Sequence, residues 1–585
     1  MFNKKELKIM ADAARLLALD AIQTAGSGHP GVALGFADVM TALYANHLRF
    51  DPRRGDWPGR DRFILSMGHA SALLYAVLHL AGYPLPREKL KLFRRIGGMP
   101  GHPERNLAAG IEMTSGPLGQ GLASAVGIAM AAPDVKVYAA CSDGDLMEGV
   151  AMEAASLAGY RGLRNLIVLW DDNRITIDGA PATRDDMPAK FRDMGWNTVE
   201  LDGMNPGEVD KALGIAKKKK GPVLLACRTV IGYGSAREGT AASHGSPLEY
   251  ADGLRVISGL TPAFEAAAPM WARLAASKAP QRPAKPARVK AFEMPQLETA
   301  PASTRELFAH VIRAAVEKNP GLVIGGSADL SASTGAYAEA GNFIHYGIRE
   351  HAMGAVMNGL AMGGLFPYGA TFLAFSDYMR PPIRLAALMG LPVLFVFSHD
   401  SIALGEDGPT HQPVEQLPAL RLVPNLRVMR PCNLREVYLC VSEHFKSGGP
   451  SAIILSRQSF APVPESVDAD AHGYVASGPR DADVRIVATG SEVALGLAVR
   501  SALERRGVSA AVFSAPIIDA VRIGGFAAGG RSAWIEASAQ AAPFAADMTV
   551  GVAAFGQSGP GADVYMAAGF DAEKIAARLG EKHLR

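Results

Sequence analysis

The segment from Val135 to Asp178, VKVYAACSDGDLMEGVAMEAASLAGYRGLRNLIVLWDDNRITID, constrains the fold more tightly than any other stretch of the chain. VKVYAACS and NLIVLW are short apolar runs ending in polar turns, the form taken by buried parallel strands. Between them Met147, Val150, Ala154, Leu157 and Ala158 recur at helical spacing. A right-handed crossover carries both strand ends to one edge of a sheet, where open α/β folds bind ligands. Asp143 follows the first strand and Asn173 the second. One carboxylate, one amide and the carbonyls of a turn are a sparse set of hard oxygens, suited to Mg²⁺ when phosphate oxygens and water complete its shell. Two readings follow: a Mg²⁺–diphosphate site, and with it a cofactor, or a βαβ unit in which the DG turn and the Asn serve turn chemistry alone.

At 585 residues the chain exceeds what one core supports, and three or four domains are expected. A net charge of +2 gives no reason to expect nucleic acid or a membrane surface as partner. The basic run Lys217–Lys220 precedes the strand-like GPVLLACRTV and reads as the last turn of a helix, where cations suit the dipole. Cys141, Cys227, Cys432 and Cys440 show no metal-ligand spacing, so buried free thiols in a reducing compartment are expected. The first residues, MFNKKELKIMADAARLLALDAIQ, carry Glu6, Asp12 and Asp20 through an amphipathic pattern and read as a helix of the fold, not a targeting segment. Pro392 interrupts the longest apolar stretch, Leu385–Phe397, so no transmembrane span is expected and the cytoplasm is the default location.

Prolines from Pro262 to Pro301 mark residues 261–302 as an extended linker. An α/β domain is expected before it, over residues 1–260. A second, over 303–462, alternates TRELFAHVIRAAVEK, LVIGGS, HAMGAVMNGLAMGG, PVLFVFSHD and PSAIILSR as helix, strand, helix, strand and strand. A third, over 463–585, contains VRIVATG, a helix from Glu492 to Arg506, SAAVFSA, SAWIEAS and MTVGVAAFG. The expected fold class is α/β, with three tandem α/β domains and mainly parallel sheets.

Four histidines lie in Gly- or Pro-rich turns of the first domain: SGHPG (His29), SMGHA (His69), PGHPE (His102) and ASHGSP (His244). One such histidine is ordinarily a loop residue; four in turns that allow close backbone approach suggest imidazoles presented to a ligand. The second domain adds GSADLSAS, NFIHYGIREHAMG, TFLAFSDYMR, SHDSIALGEDGPTHQP and LSRQ. Glu350 opens an apolar-periodic helix, where a carboxylate also simply complements the helix dipole. Phe372, Phe375 and Tyr378 form a stripe that serves a core as readily as a cofactor.

Taken in order, these segments resemble the transketolases, thiamine diphosphate-dependent enzymes, over nearly the whole chain. The opening unit, GPLGQG (Gly116–Gly121), GEDGPTHQP and HYGIRE carry the resemblance. It implies that Asp143, Asn173 and the carbonyl of Ile175 hold Mg²⁺, with Ca²⁺ as a substitute, on the cofactor diphosphate. His69 and Gly144 would lie against the diphosphate, Gly116 would contact the cofactor, and Leu118 and Ile177 would keep the cofactor bent. Glu350 would hydrogen-bond the aminopyrimidine and so promote formation of the ylide, while Phe372, Phe375 and Tyr378 form the pyrimidine slot. Arg305, Ser333, His399 and Arg457 match the family's sugar-phosphate set, and Asp407 the residue reading the acceptor C2 hydroxyl. His102 and His411 match those holding the ketol unit, and His29 and His244 those placed for proton transfer. Asp329 and Glu148 would stand behind these groups, Glu148 contacting Glu350 of a second chain.

The resemblance thus implies a diphosphate-binding domain, a pyrimidine-binding domain and a C-terminal domain, in a homodimer whose sites lie at the interface. The activity it implies is reversible transfer of a two-carbon ketol unit between phosphorylated sugars, such as xylulose 5-phosphate and ribose 5-phosphate. Ser142 and Arg174 stand where relatives usually carry Gly, and the turn from Met130 to Val135 is short. A ketol transferase with a small-aldehyde acceptor, or a homologue impaired in turnover, is the alternative.

Overall fold

The computed structural model describes residues 1–278, 287–297, 302–337, 342–539 and 541–581. It forms two compact units, Met1–Pro286 with Met362–Gly364, and Ala287–Ala361 with Leu365–Arg585. The first holds a five-stranded parallel sheet of β1 (Arg62–Leu65), β2 (Val137–Ser142), β3 (Leu166–Asp172), β4 (Asn197–Asp202) and β5 (Val223–Arg228). Its spatial order is β1-β2-β3-β5-β4. Every residue of β2 and β3 is buried, which is why these strands read as unbroken apolar runs rather than alternating ones.

The crossover between β2 and β3 is two helices, Asp143–Met147 and Gly149–Tyr160, separated by extended backbone at Glu148. Val150, Ala154, Leu157 and Ala158 are buried as their spacing predicts, but Met147 sits before the break and is exposed. The N-terminal helix Lys4–Ala25 is closed by a capping box between Asn3 and Glu6 and buries Leu7, Met10, Ala14 and Leu17.

The linker expected over 261–302 is corrected at its start. The helix Tyr250–Ala276 continues through Pro262 and Pro269. Packing outweighs the breaker composition here: Val256, Ala267, Trp271 and Leu274 form its buried face, and the Trp271 indole donates to the Met10 carbonyl at 3.3 Å. Residues 287–297 carry no helix or strand, but Phe292 is buried in the core of the second unit and the Lys290 backbone bonds Asn319; residues 279–286 and 298–301 lie outside the described residues.

The second unit contains two sheets. One has β6 (Val323–Ser327), β7 (Phe343–His345), β8 (Phe366–Phe372), β9 (Leu394–Ser398), β10 (Arg427–Met429) and β11 (Ser451–Leu455), parallel and ordered β10-β11-β9-β8-β6-β7. The other has β12 (Tyr474–Ser477), β13 (Val484–Ala488), β14 (Ala510–Ser514), β15 (Arg531–Ile535) and β16 (Met548–Val550), ordered β12-β14-β13-β15-β16. Only its edge strand β12 is antiparallel. With the first unit's sheet this gives three α/β domains. All four cysteines are free and buried. Among the described residues no helix is long and apolar enough to cross a membrane.

A buried ionic cluster fastens the two sheets of the second unit. The Arg430 guanidinium is wholly buried; it donates to Asp400 at 2.6 Å, to the Thr489 hydroxyl at 3.0 Å and to Glu492. Arg421 grips both carboxylate oxygens of Glu536 at 2.7 Å, and Glu536 also accepts from Thr489. These arginines hold the Glu536 carboxyl down at about 2. Removing one member strands buried charge, so Arg430→Met is expected to cost about 3–5 kcal/mol. Calorimetry should show its first unfolding transition several degrees below that of the parent; an unshifted transition would show that the cluster contributes little.

Candidate active site

Asp143 and Asn173 lie at the C-terminal ends of β2 and β3, on the edge the crossover predicts. One Asp143 oxygen accepts the Trp170 indole N–H at 3.2 Å and the other the Arg174 backbone N–H at 2.9 Å. Asn173 donates to Asp171 at 2.9 Å, which turns its amide oxygen toward the turn, where it accepts from Ile175 N–H at 2.9 Å. Burial, then the neighbouring Asp172, push the Asp143 carboxyl up to about 6. A cation at this edge would reverse that shift by favouring the carboxylate. Among the described residues no three His, Cys, Asp or Glu side chains converge as a metal site. A cation on Asp143 therefore depends on amide and backbone oxygens and on a phosphorylated ligand, as a sparse Mg²⁺ site does.

The two departures at this turn are both accounted for. Ser142 has extended backbone and caps the helix Asp143–Met147 in a capping box with Asp145. Arg174 takes the left-handed conformation, with φ 61°, and this aims its N–H at Asp143.

Asp145, which the sequence reading passed over, organises the edge. Its fully buried carboxylate accepts the Ser66 hydroxyl at 2.5 Å, Gly119 N–H at 2.8 Å, Ser142 N–H at 3.1 Å and the Ser142 hydroxyl at 3.0 Å. Three separate turns, SMGHA, GPLGQG and SDGD, are thereby tied to one side chain. Their backbones meet with no room for a side chain: a Cβ on Gly68 would lie 2.8 Å from Gly116 N, and one on Gly121 would lie 2.5 Å from the Ser66 Cα. Gly144 faces Leu118, whose Cδ1 would be 3.0 Å from a Cβ at that position. Glu148 and Ile177 are exposed.

The four histidine turns converge. The His29 ring centroid lies 5.4 Å from His69, 6.1 Å from His102 and 5.8 Å from His244, and His69 stacks on His244 at 5.3 Å. Burial is the main cause that lowers His69 and His244, and it brings His29 down to about 4, with Arg94 next in weight. These imidazoles are neutral at pH 7. Arg94, also missed from sequence, donates to Ser27 at 2.8 Å and to His29 Nδ1 at 3.3 Å. Arginine has no acceptor, so His29 Nδ1 accepts and Nε2 carries the hydrogen.

The second unit gathers the other set. Glu350 opens the helix Glu350–Met362 and accepts from Thr371, on β8, at 3.3 Å. At the end of β8, Phe372 stacks on His399 with centroids 3.6 Å apart; Phe375 lies 5.7 Å from Phe372 and 5.3 Å from His411. Tyr378 ends the stripe 6.3 Å from Phe375 and is exposed. His399 is buried at φ 60°, takes a hydrogen bond between Nδ1 and the Ser398 hydroxyl at 2.9 Å, and is lowered to about 3 by burial, then Arg305, Arg457 and His411. Arg305 donates to the Ser333 carbonyl at 2.5 Å. Arg305 and Arg457 thus bring positive charge to His399 beside the aromatic stripe, with Ser333 on Arg305 and His411 on Phe375. Asp329 and Asp407 are exposed in nearby turns, Asp329 at φ 64° and Asp407 between Gly405 and Gly408, both at positive φ.

The first unit thus has a strand edge with one acid, one amide and neighbouring imidazoles, and the second has an aromatic stripe with a helix-opening Glu. Residues 7–279 match the family model "Transketolase, thiamine diphosphate binding domain", and residues 300–462 match "Transketolase, pyrimidine binding domain". The chain is 43% identical over 578 residues to the transketolase of Cereibacter sphaeroides, covering 87% of each, and 40% identical over 654 residues to that of Sinorhizobium medicae, covering 98% of this chain and 93% of that one. Among solved structures, the transketolase of Campylobacter jejuni superposes with a TM-score of 0.88 at 34% identity, over 99% of this chain and 100% of that one. A Pichia stipitis transketolase in complex with sedoheptulose 7-phosphate gives 0.86 at 34% identity, over 98% and 97%. The chain belongs to the transketolase family and is a thiamine diphosphate-dependent transferase of ketol groups.

The strain at Arg174 gives a direct test of the turn. A left-handed residue other than Gly costs about 1–2 kcal/mol, and more when β-branched. Arg174→Gly is expected to unfold within a few degrees of the parent and to keep thiamine diphosphate affinity, whereas Arg174→Val should lose about tenfold in affinity. Equal affinities for the two variants in a fluorescence titration would show that the turn does not depend on this backbone.

Proposed function

We propose that the enzyme reversibly transfers a two-carbon ketol unit from a ketose phosphate to an aldose phosphate, with xylulose 5-phosphate and ribose 5-phosphate as a donor–acceptor pair. The observation that carries the phosphorylated substrate is the cluster of Arg305, Arg457 and His399 around Ser333. Arginine forks make charge-assisted contacts suited to a phosphate, and a pocket that accepts uncharged small aldehydes needs no such set. Pichia stipitis transketolases have been solved with xylulose 5-phosphate, fructose 6-phosphate and sedoheptulose 7-phosphate, which supports the same class here.

Asp143, Asn173 and the Ile175 carbonyl would hold Mg²⁺, or Ca²⁺ in its place, on the cofactor diphosphate. His69, Gly116 and Gly144 would line that diphosphate, and Leu118 and Ile177 the thiazolium side. Thiamine diphosphate, when bound, supplies the carbanion-stabilising centre that cleavage of a ketose C–C bond requires. The chain's own residues do the rest. Glu350 presents a carboxyl to the pyrimidine ring, with Thr371 holding one oxygen in place. Phe372, Phe375 and Tyr378 exclude water there, which strengthens that hydrogen bond. Neutral His29 offers Nε2–H to a developing alkoxide, and His244 relays the proton; a neutral imidazole both gives and takes protons in the two half-reactions. His102 and His411 orient the two-carbon unit, and Asp407 reads the acceptor hydroxyl. Glu148, exposed on one chain, would meet Glu350 of a second, with Asp329 supporting the cofactor, so the working unit is a homodimer with sites at the interface. We place it in the cytoplasm, in the pentose phosphate pathway, with neither nucleic acid nor membrane as partner.

A coupled assay with xylulose 5-phosphate and ribose 5-phosphate should show turnover that requires both thiamine diphosphate and a divalent cation; turnover indifferent to the cofactor would overturn the proposal. Glu350→Gln should retain cofactor binding and lose at least a hundredfold in kcat. Parent-like kcat in that variant would remove Glu350 from the chemistry.

A further inference from the structure

The sheet of the first unit has a second charged concavity at its opposite edge. β2 starts at Val137 and ends at Ser142, so its six residues separate this edge from Asp143 by on the order of 20 Å. A cavity of about 350 Å³ opens there, beside the short connection Pro133–Asp134–Val135 that joins the helix Gln120–Ala131 to β2. Its walls bring Arg49, Lys136, Arg164 and Lys217 together with His47. These residues come from four separate segments, so their convergence is a product of the fold rather than of a basic run.

Two carboxylates line the cavity, Asp61 and Asp134, against four cationic side chains. Asp61 is already engaged: it accepts Arg49 N–H and Lys136 N–H, each at 3.0 Å, and stands 3.6 Å from the Arg49 guanidinium. Asp134 is exposed on the turn. Lys136 donates to the Arg164 carbonyl at 3.1 Å; burial, then Arg164 and Lys217, disfavour its charged form, while Asp61 favours it. His47, nine-tenths buried, gives Nε2 to Asp210 at 2.9 Å and keeps a buried Nδ1 with no hydrogen-bond partner. Like charges crowded in one concavity are a standing cost, and an anion relieves it.

The ligand chemistry follows from size and lining. The volume is at the small end of ligand pockets, and the walls are mostly charged rather than apolar. A tetrahedral dianion fits both, because its oxygens can take charge-assisted bonds from several cations. We propose that this cavity, formed by His47, Arg49, Lys136, Arg164 and Lys217, is a binding site for a phosphate group, separate from the site that handles sugar phosphates.

The test is calorimetric titration of the full-length enzyme loaded with thiamine diphosphate and Mg²⁺, in an Arg457→Ala background that weakens the proposed sugar-phosphate contact. Inorganic phosphate, glycerol 3-phosphate and glycerol serve as probes. One phosphate per chain is expected, with glycerol silent. Tighter binding of glycerol 3-phosphate than of inorganic phosphate would identify a phosphomonoester as the ligand; equal binding would identify the free anion. Arg164→Gln with Lys217→Gln should weaken that binding at least tenfold while the unliganded variant melts no lower than its parent, because repulsion has been removed. Phosphate binding unchanged by the double substitution, or absent from the start, would overturn the proposal. A variant that melts lower would assign the cluster a structural role instead.

Discussion

The buried carboxylate of Asp145 is the contact on which the first half of the site depends. It touches the turn after β1, the GPLGQG turn and the turn after β2 at once. Parallel strands deliver loops to a common edge but do not align them; a shared acceptor does. Burial alone would push this carboxyl up, and the hydrogen bonds from Ser66, Gly119 and Ser142 oppose that. A carboxylate held by several donors orders its neighbours more firmly than turn propensity can, because each N–H or O–H would otherwise lose a partner in a dry interior. Gly68, Gly116 and Gly121 then permit the close backbone approach that the shared acceptor demands.

The electrostatic design differs between the two sets of functional groups. The histidines of the first unit are lowered chiefly by burial, which favours their uncharged form. Around His399 the same burial is joined by the positive field of Arg305 and Arg457. There the imidazole stays neutral, and the guanidinium groups rather than a third titrating cation carry the positive charge. The ionic cluster at Arg430 does a different task. Asp400 directly follows His399, so fastening Asp400 to Arg430 also anchors the strand end that carries this imidazole.

Strands built on long buried apolar runs were legible in the sequence, as β2, β3, β5, β9 and β11 show. β1, β4, β7, β8, β10 and β12 were not, because they are short, polar or interrupted by Gly and Pro, and pairing with a neighbour decides their state. The helix Tyr250–Ala276 was misread from Pro262 onward because tertiary packing of Trp271 and its neighbours outweighs a local breaker. Histidines in Gly- and Pro-rich turns announced themselves by residue type. Asp145 and Arg94 did not, since a carboxylate in a helix's first turn and an arginine in a basic loop look ordinary until the chain brings their partners from distant positions. Ser142 and Arg174 looked like defects in sequence; one is a helix cap and the other a strained donor to Asp143.

The most direct measurement is thiamine diphosphate affinity in Asp145 variants, read in the presence of Mg²⁺ from the fluorescence of Trp170, whose indole bonds Asp143. Asp145→Ala leaves the Gly119 and Ser142 N–H groups without an acceptor, and Asp145→Asn retains only part of the set. A folded Asp145→Asn protein, judged by far-UV circular dichroism, should bind the cofactor at least tenfold more weakly than the parent, with Asp145→Ala weaker still. Parent-like affinity in either folded variant would contradict the claim that this carboxylate assembles the site.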